Sequence, residues 1–131
     1  MEMHNVYTDT VLVAGTVPAT SAETVAIILP GNVSVPVGTL IVLEAVATWT
    51  AGSSTTAIVA RIRRGTTTAG TLVGQAFTNP ATASAANTIA AQCADTPGEV
   101  AGQQYCLTLQ QTSGAANGSA LFASLQASWI A

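Results

Sequence analysis

Lysine is absent from this chain of 131 residues, and arginine occurs only as Arg61, Arg63 and Arg64. Charged residues make up 7% of the sequence, against about 25% in an average domain. With six acids and a net charge of -3, the chain has too few cations for counterion-driven binding of nucleic acid. A lysine nucleophile is excluded outright. The one histidine, His4, stands in a polar stretch with no pattern to hold it, whereas a Ser-His-Asp or Cys-His set needs a base fixed beside its nucleophile. Aromatics, at 5%, are too few to line a sugar cleft around two carboxylates. Cys93 and Cys106 have no neighbouring histidine or third cysteine to complete a zinc set, and no calcium loop of the D-x-D-x-D-G type is present. No apolar run approaches the roughly 20 residues of a membrane span; the richest, Leu40 to Ala47, contains Glu44. The N-terminal residues lack the basic-then-apolar pattern of a secretory signal, so the expected site of synthesis is the cytoplasm, where thiols are the default. These absences leave no assigned catalytic residue, no cofactor, no metal, and neither nucleic acid nor membrane as a partner.

What is present is apolar and small. Hydrophobic residues make up 49% of the chain, which with the low net charge argues against disorder. The length suits one domain. A chain this size buries roughly two-thirds of its unfolded surface, enough for a core without staples. A surface so poor in charge is either covered by Thr, Ser, Asn and Gln or hidden in an assembly.

Turn signals punctuate the chain at short intervals: Pro30-Gly31-Asn32, Pro36-Val37-Gly38, Gly52-Ser53-Ser54, Gly65 to Gly70, Asn79-Pro80, Pro97-Gly98 and Asn117-Gly118. The segments between them are rich in Val, Ile and Thr, which predicts an all-β sandwich or barrel. Eight strands are expected, at about 10–17, 24–29, 39–50, 55–64, 71–77, 86–93, 100–111 and 119–130, with a short extra one at 33–35. Period-2 alternation is clear in the later ones, where one face packs inward. The expected core is Ile41, Leu43, Trp49, Ile58, Ile62, Tyr105, Leu107, Leu109, Leu121, Leu125 and Trp129. Residues 81–94 are alanine-rich, so a helix competes there with strand and loop. Residues 1–9 lack alternation and are expected as an N-terminal arm preceding a sandwich domain at 10–131.

Some residues invite a chemical reading. Asp95 and Glu99 flank Pro97-Gly98 and admit a carboxylate pair, but Asp95 as a turn former is the stronger reading. Alternation puts Arg61 and Arg63 on one face and Arg64 on the other; pairing with an acid or a partner is favoured over a phosphate patch. A Cys93–Cys106 disulfide stays open, although a hairpin at Pro97-Gly98 would bring Cys93 nearer Gly102.

The stretch Ala60-Arg61-Ile62-Arg63-Arg64-Gly65-Thr66-Thr67-Thr68-Ala69-Gly70-Thr71-Leu72-Val73-Gly74 resembles a strand-hairpin-strand of tailed-bacteriophage virion structural proteins, and Asp95-Thr96-Pro97-Gly98 with Tyr105-Cys106-Leu107-Thr108-Leu109 resembles their turn and penultimate strand. The resemblance spans about 39–130. It implies a tumour-necrosis-factor-like jelly roll, an eight-stranded antiparallel β-sandwich that forms homotrimers. It further implies a non-enzymatic capsid decoration or head-fibre protein on the virion surface, bound to the major capsid protein or other virion proteins. A receptor- or carbohydrate-binding tail-tip module is the alternative.

Apolar residues left over on second strand faces mark the expected trimer interface: Val42, Val46, Phe122 and Ile130. Met3, Val6 and Tyr7 are the expected anchors of the arm on the capsid. A jelly roll separates 39–50 from 55–64, whereas a meander would pair them and set Glu44 opposite Arg63.

Overall fold

The computed structural model describes residues 4–11, 16–17, 22–29, 38–53, 57–78, 82, 85–96, 104–112 and 117–130. Its strands are β1 (His4–Val11), β2 (Thr16–Val17), β3 (Thr24–Ile28), β4 (Ile41–Thr50), β5 (Ala57–Arg64), β6 (Thr71–Thr78), β7 (Ala86–Asp95), β8 (Tyr105–Thr112) and β9 (Gly118–Ile130). They form two antiparallel sheets. The first runs β1-β9-β4-β7, with the short β2 also on β9; the second runs β3-β8-β5-β6.

This order is that of one long hairpin, rolled up. β5 and β6 form its tip; β4 with β7, β3 with β8, and β1 with β9 are the successive rungs behind it. Alternate rungs fall in opposite sheets, which is the jelly roll. Among the described strands, only the tip is a hairpin between consecutive strands, closed over Gly65 to Gly70. Gly65 has φ +132°, a conformation that side chains disfavour. β4 and β5 lie in different sheets, so Glu44 does not oppose Arg63. β7 and β8 likewise lie in different sheets, so they do not pair as a hairpin.

Strand assignments differ from expectation at two places. Residues 4–9, expected as a separate arm, are strand: β1 runs along β9 from His4 opposite Ile130 to Val11 opposite Ala123. At a sheet edge, main-chain pairing suffices without an apolar alternation, which is why the pattern missed it. The strand expected at 10–17 is instead the end of β1 and the separate β2. The strand expected at 86–93 is present as β7: the alanines of that stretch yield to pairing with β4. The short strand expected at 33–35 lies outside the described residues, as do Met1 to Met3.

The core sits between the sheets. Ile41, Leu43, Trp49, Ile58, Ile62, Tyr105, Leu107, Leu109, Leu125 and Trp129 are all buried there, as the alternation requires. β9 carries a bulge at Leu121, between partners Phe122 and Ala120 of β4. Each large apolar side chain removed from water contributes about 1.5–3 kcal/mol. The sheets approach closely at Gly74: a Cβ there would lie 2.4 Å from Cβ of Cys93. This contact fixes how near β6 and β7 come and leaves no room for a side chain on β6.

Candidate functional site: two ion-pair clusters and two outer faces

β5 places all three arginines. Arg64, on the inward face, ends the core at one extremity of the sandwich. Its Nε donates to Oδ2 of Asp95 at 2.9 Å and its Nη2 to Oδ1 at 2.5 Å. The Tyr105 hydroxyl donates to Oδ2 of the same carboxylate at 2.7 Å. Asp95, the last residue of β7, is therefore the buried acceptor of a three-residue lock; the turn expected after it at Pro97-Gly98 lies outside the described residues. Burial pushes its pKa up, but the hydrogen bonds from Arg64 and Tyr105 outweigh this and hold the carboxyl below its ordinary value. Burial, then the bond to Asp95, pushes the Tyr105 phenol up.

Arg61 and Arg63 point out of the second sheet, as alternation demands. There they meet Glu23, just before β3. Arg63 holds that carboxylate with two bonds, Nε to Oε2 at 2.6 Å and Nη2 to Oε1 at 2.8 Å, and donates from Nη1 to the Gly70 carbonyl at 2.9 Å. Arg61 donates from Nη1 to Oε1 of Glu23 at 3.2 Å and to Gln110, and from Nε to Oε1 of Gln75 at 3.2 Å. The buried Thr108 hydroxyl donates to Glu23. The Arg63 hydrogen bond leads in lowering the Glu23 pKa, against the opposing effect of burial. All three arginines are thus paired with acids, the ion-pair reading of the basic cluster.

The outer face of the first sheet differs in kind. Across β4 the rows are Ala94-Val42-Ser128, Gln92-Glu44-Gln126, Ala90-Val46-Ser124 and Thr88-Thr48-Phe122. Glu44 is the one ionisable residue in these rows, and it accepts from Gln92 at 3.1 Å. Thr48 and Thr88 share a hydrogen bond of 2.8 Å. A shallow depression of about 340 Å³ lies between β4 and β7, lined by Glu44, Val46, Ala90 and Gln92. Val42, Val46 and Phe122 do share this face, although the rows of Val42 and Phe122 stand six residues apart along β4, about 20 Å at strand rise. Ile130 pairs with His4 at the end of the sheet.

Both thiols are free. Cys93 faces inward from the first sheet and burial pushes it up to about 11. Cys106 is buried on the opposite side of the second sheet, its Sγ 3.8 Å from the Thr67 carbonyl, and burial raises it too. Thiols held protonated are poor nucleophiles. Among the described residues no three His, Cys, Asp or Glu side chains gather as a metal site. The Asp95–Glu99 pair cannot be placed, since Glu99 lies outside the described residues.

No family model matches this chain, and no curated protein matches it. Solved structures do. A chain of the infectious bursal virus-derived T=1 particle is similar over 97% of this chain and 35% of its own, with TM-score 0.62 and 14% identity. The infectious bursal disease virus VP2 subviral particle is similar over 95% and 32%, with TM-score 0.59 and 16% identity. The Eiger TNF of S. frugiperda is similar over 99% and 93%, with TM-score 0.50 and 12% identity. The chain spans about a third of the viral chains it matches. At such identities the likeness is one of fold: this is a β-sandwich shared with viral capsid proteins and with a tumour-necrosis-factor-like protein.

Proposed function

We propose that this chain is a non-enzymatic structural protein of a virion, which decorates and reinforces a bacteriophage capsid as a homotrimer. The observation that carries this reading is the outer face of the β1-β9-β4-β7 sheet. Its β4 rows hold Val42, Val46, Ala90 and Phe122 around a single ionisable side chain, Glu44. A surface of that make-up suits burial against other copies, because little charge must be desolvated. The jelly-roll fold shared with virus-particle proteins agrees with it.

In this reading Val42, Val46, Phe122 and Ile130 contribute to the trimer contact, and Phe122, as the aromatic, dominates it. Size-exclusion chromatography with light scattering tests the assembly directly. The wild-type chain elutes as a trimer, and Phe122→Asp elutes as a monomer with its circular dichroism retained. A monomeric wild-type chain refutes the trimer. Docking on the shell falls to Met3, Val6 and Tyr7, of which Val6 and Tyr7 belong to the edge strand β1. Replacing all three with serine abolishes binding to undecorated capsids, and light scattering reads the trimer in parallel, since Val6 stands in the row of Ser128 and Val42. A triple variant that binds capsids like the wild type removes these residues from the docking site.

A further inference from the structure

The outer face of the second sheet has a composition that neither the fold nor the trimer reading requires. Its rows run Ile28-Cys106-Arg63-Leu72, Val25-Thr108-Arg61-Gln75 and Gln110-Val59-Phe77. Ile28, Leu72 and Phe77 are 44%, 46% and 60% exposed. These are three of the large apolar side chains that the sandwich leaves in water, and they surround the arginine pair.

The charge at the centre does not balance. Among the described residues the two guanidinium groups share one carboxylate, Glu23, which leaves one positive charge uncompensated there. Each nitrogen of Arg63 donates, two to Glu23 and one to the Gly70 carbonyl. In Arg61 one nitrogen does not. Its Nε and Nη1 are engaged, but among the described residues nothing accepts from Nη2, and its side chain keeps 21% of its exposure. Gln75, Gln110 and Glu23 hold the guanidinium in place, so little entropy remains to be lost when Nη2 takes a partner. Covering Arg61 with a neutral apolar surface would bury an uncompensated charge, which is costly. Covering it with a carboxylate set among apolar groups satisfies both the charge and the apolar rim.

We propose that this face of the β3-β8-β5-β6 sheet is a docking surface for a protein segment that presents one carboxylate flanked by apolar side chains. The carboxylate pairs with Arg61 Nη2, and the flanking groups cover Phe77 on one side and Leu72 or Ile28 on the other. A phosphate-bearing partner fits less well. Its second negative charge would sit beside Glu23, with only a single net positive charge to meet it.

Nuclear magnetic resonance titration of the full chain tests this. The probe is the capped peptide Leu-Phe-Asp-Phe-Leu, against the same peptide with Asn for Asp and against inorganic phosphate. The Asp peptide shifts the amides of 59–63, 72–77 and 106–110 and the Arg61 Nε–H. The Asn peptide binds about tenfold more weakly, the difference expected for one charged hydrogen bond. Arg61→Gln abolishes the preference for Asp over Asn. Phe77→Ser, at an exposed position, weakens both peptides without shifting the melting temperature. Equal binding of the two peptides, shifts confined to the other sheet, stronger binding of phosphate, or no shifts at millimolar peptide would each overturn the proposal. None of these results bears on whether the chain is a trimer.

Discussion

Asp95 and Glu23 are both carboxylates gripped by arginine, in opposite settings. Asp95 is 8% exposed and closes one end of the core, with Arg64 and Tyr105 as donors. Glu23 lies on an outer sheet face, its side chain 14% exposed, beneath Arg61 and Arg63 and against Thr108. Without its carboxylate, the first site leaves a phenol buried in apolar surroundings and an arginine at the core's end. The second leaves two arginines that can turn toward water. The same pairing chemistry thus closes the interior in one case and organises a surface in the other. The cost of losing it depends on what the abandoned partners can reach.

The largest effect is expected at the core end. Asp95→Ala should lower stability by about 3–5 kcal/mol, as for other buried pairs broken on one side, read from the urea midpoint. A loss under about 1 kcal/mol would mean that Arg64 and Tyr105 find water easily, and the contrast with Glu23 would collapse. Glu23→Ala comes next, at roughly 1–2 kcal/mol, since the arginines rehydrate but then repel each other. Acid should weaken both sites. Each carboxyl is held below its ordinary value, 4.5 for Glu23 and 3.8 for Asp95. Their contributions are therefore complete above those values and are lost as pH falls through them toward the lowered folded ones. Unfolding midpoints should fall steadily below about pH 5, and Glu23→Gln should flatten part of that slope. An acid limb identical in wild type and Glu23→Gln would assign the whole effect to Asp95. The smallest change belongs to Glu44, on the outer face of the first sheet. Glu44→Ala should stay within about 0.5 kcal/mol in the monomer, measured in the Phe122→Asp background so that assembly does not intrude.

The strands and their inward faces were legible because period 2 is a local property. Leu107 and Leu109 face the core for the same reason that Thr108 does not. The split of 39–50 from 55–64 into different sheets was legible only through resemblance, since alternation says nothing of which strand lies beside which. Glu23 could not be found from spacing. It is 38 and 40 positions from its arginines, and meets them because β3 and β5 both pair with β8. A signal did exist: three arginines in a chain this poor in charge must find acids, and only six are available. The neighbours of Asp95, Thr96, Pro97 and Gly98, signal a turn and hide its pairing, because the arginine that claims its carboxylate is 31 positions away. β1 was missed because an edge strand needs no apolar alternation.

The rolled-hairpin order also governs when the protein can fold. β9 lies between β1 and β4, so the first sheet has no continuous ladder until residues 118–130 have been made. At roughly 5–20 residues per second of synthesis, β1 spends several seconds on the ribosome without its neighbour. Among the described strands only β5 and β6 pair as consecutive neighbours, and pairings that span long stretches of chain form slowly because loop closure comes first. One hydrogen-bonding edge of β4 stays unpaired until then. Synthesis at high levels should therefore favour aggregates that lower temperature relieves, even though the finished sandwich is well packed.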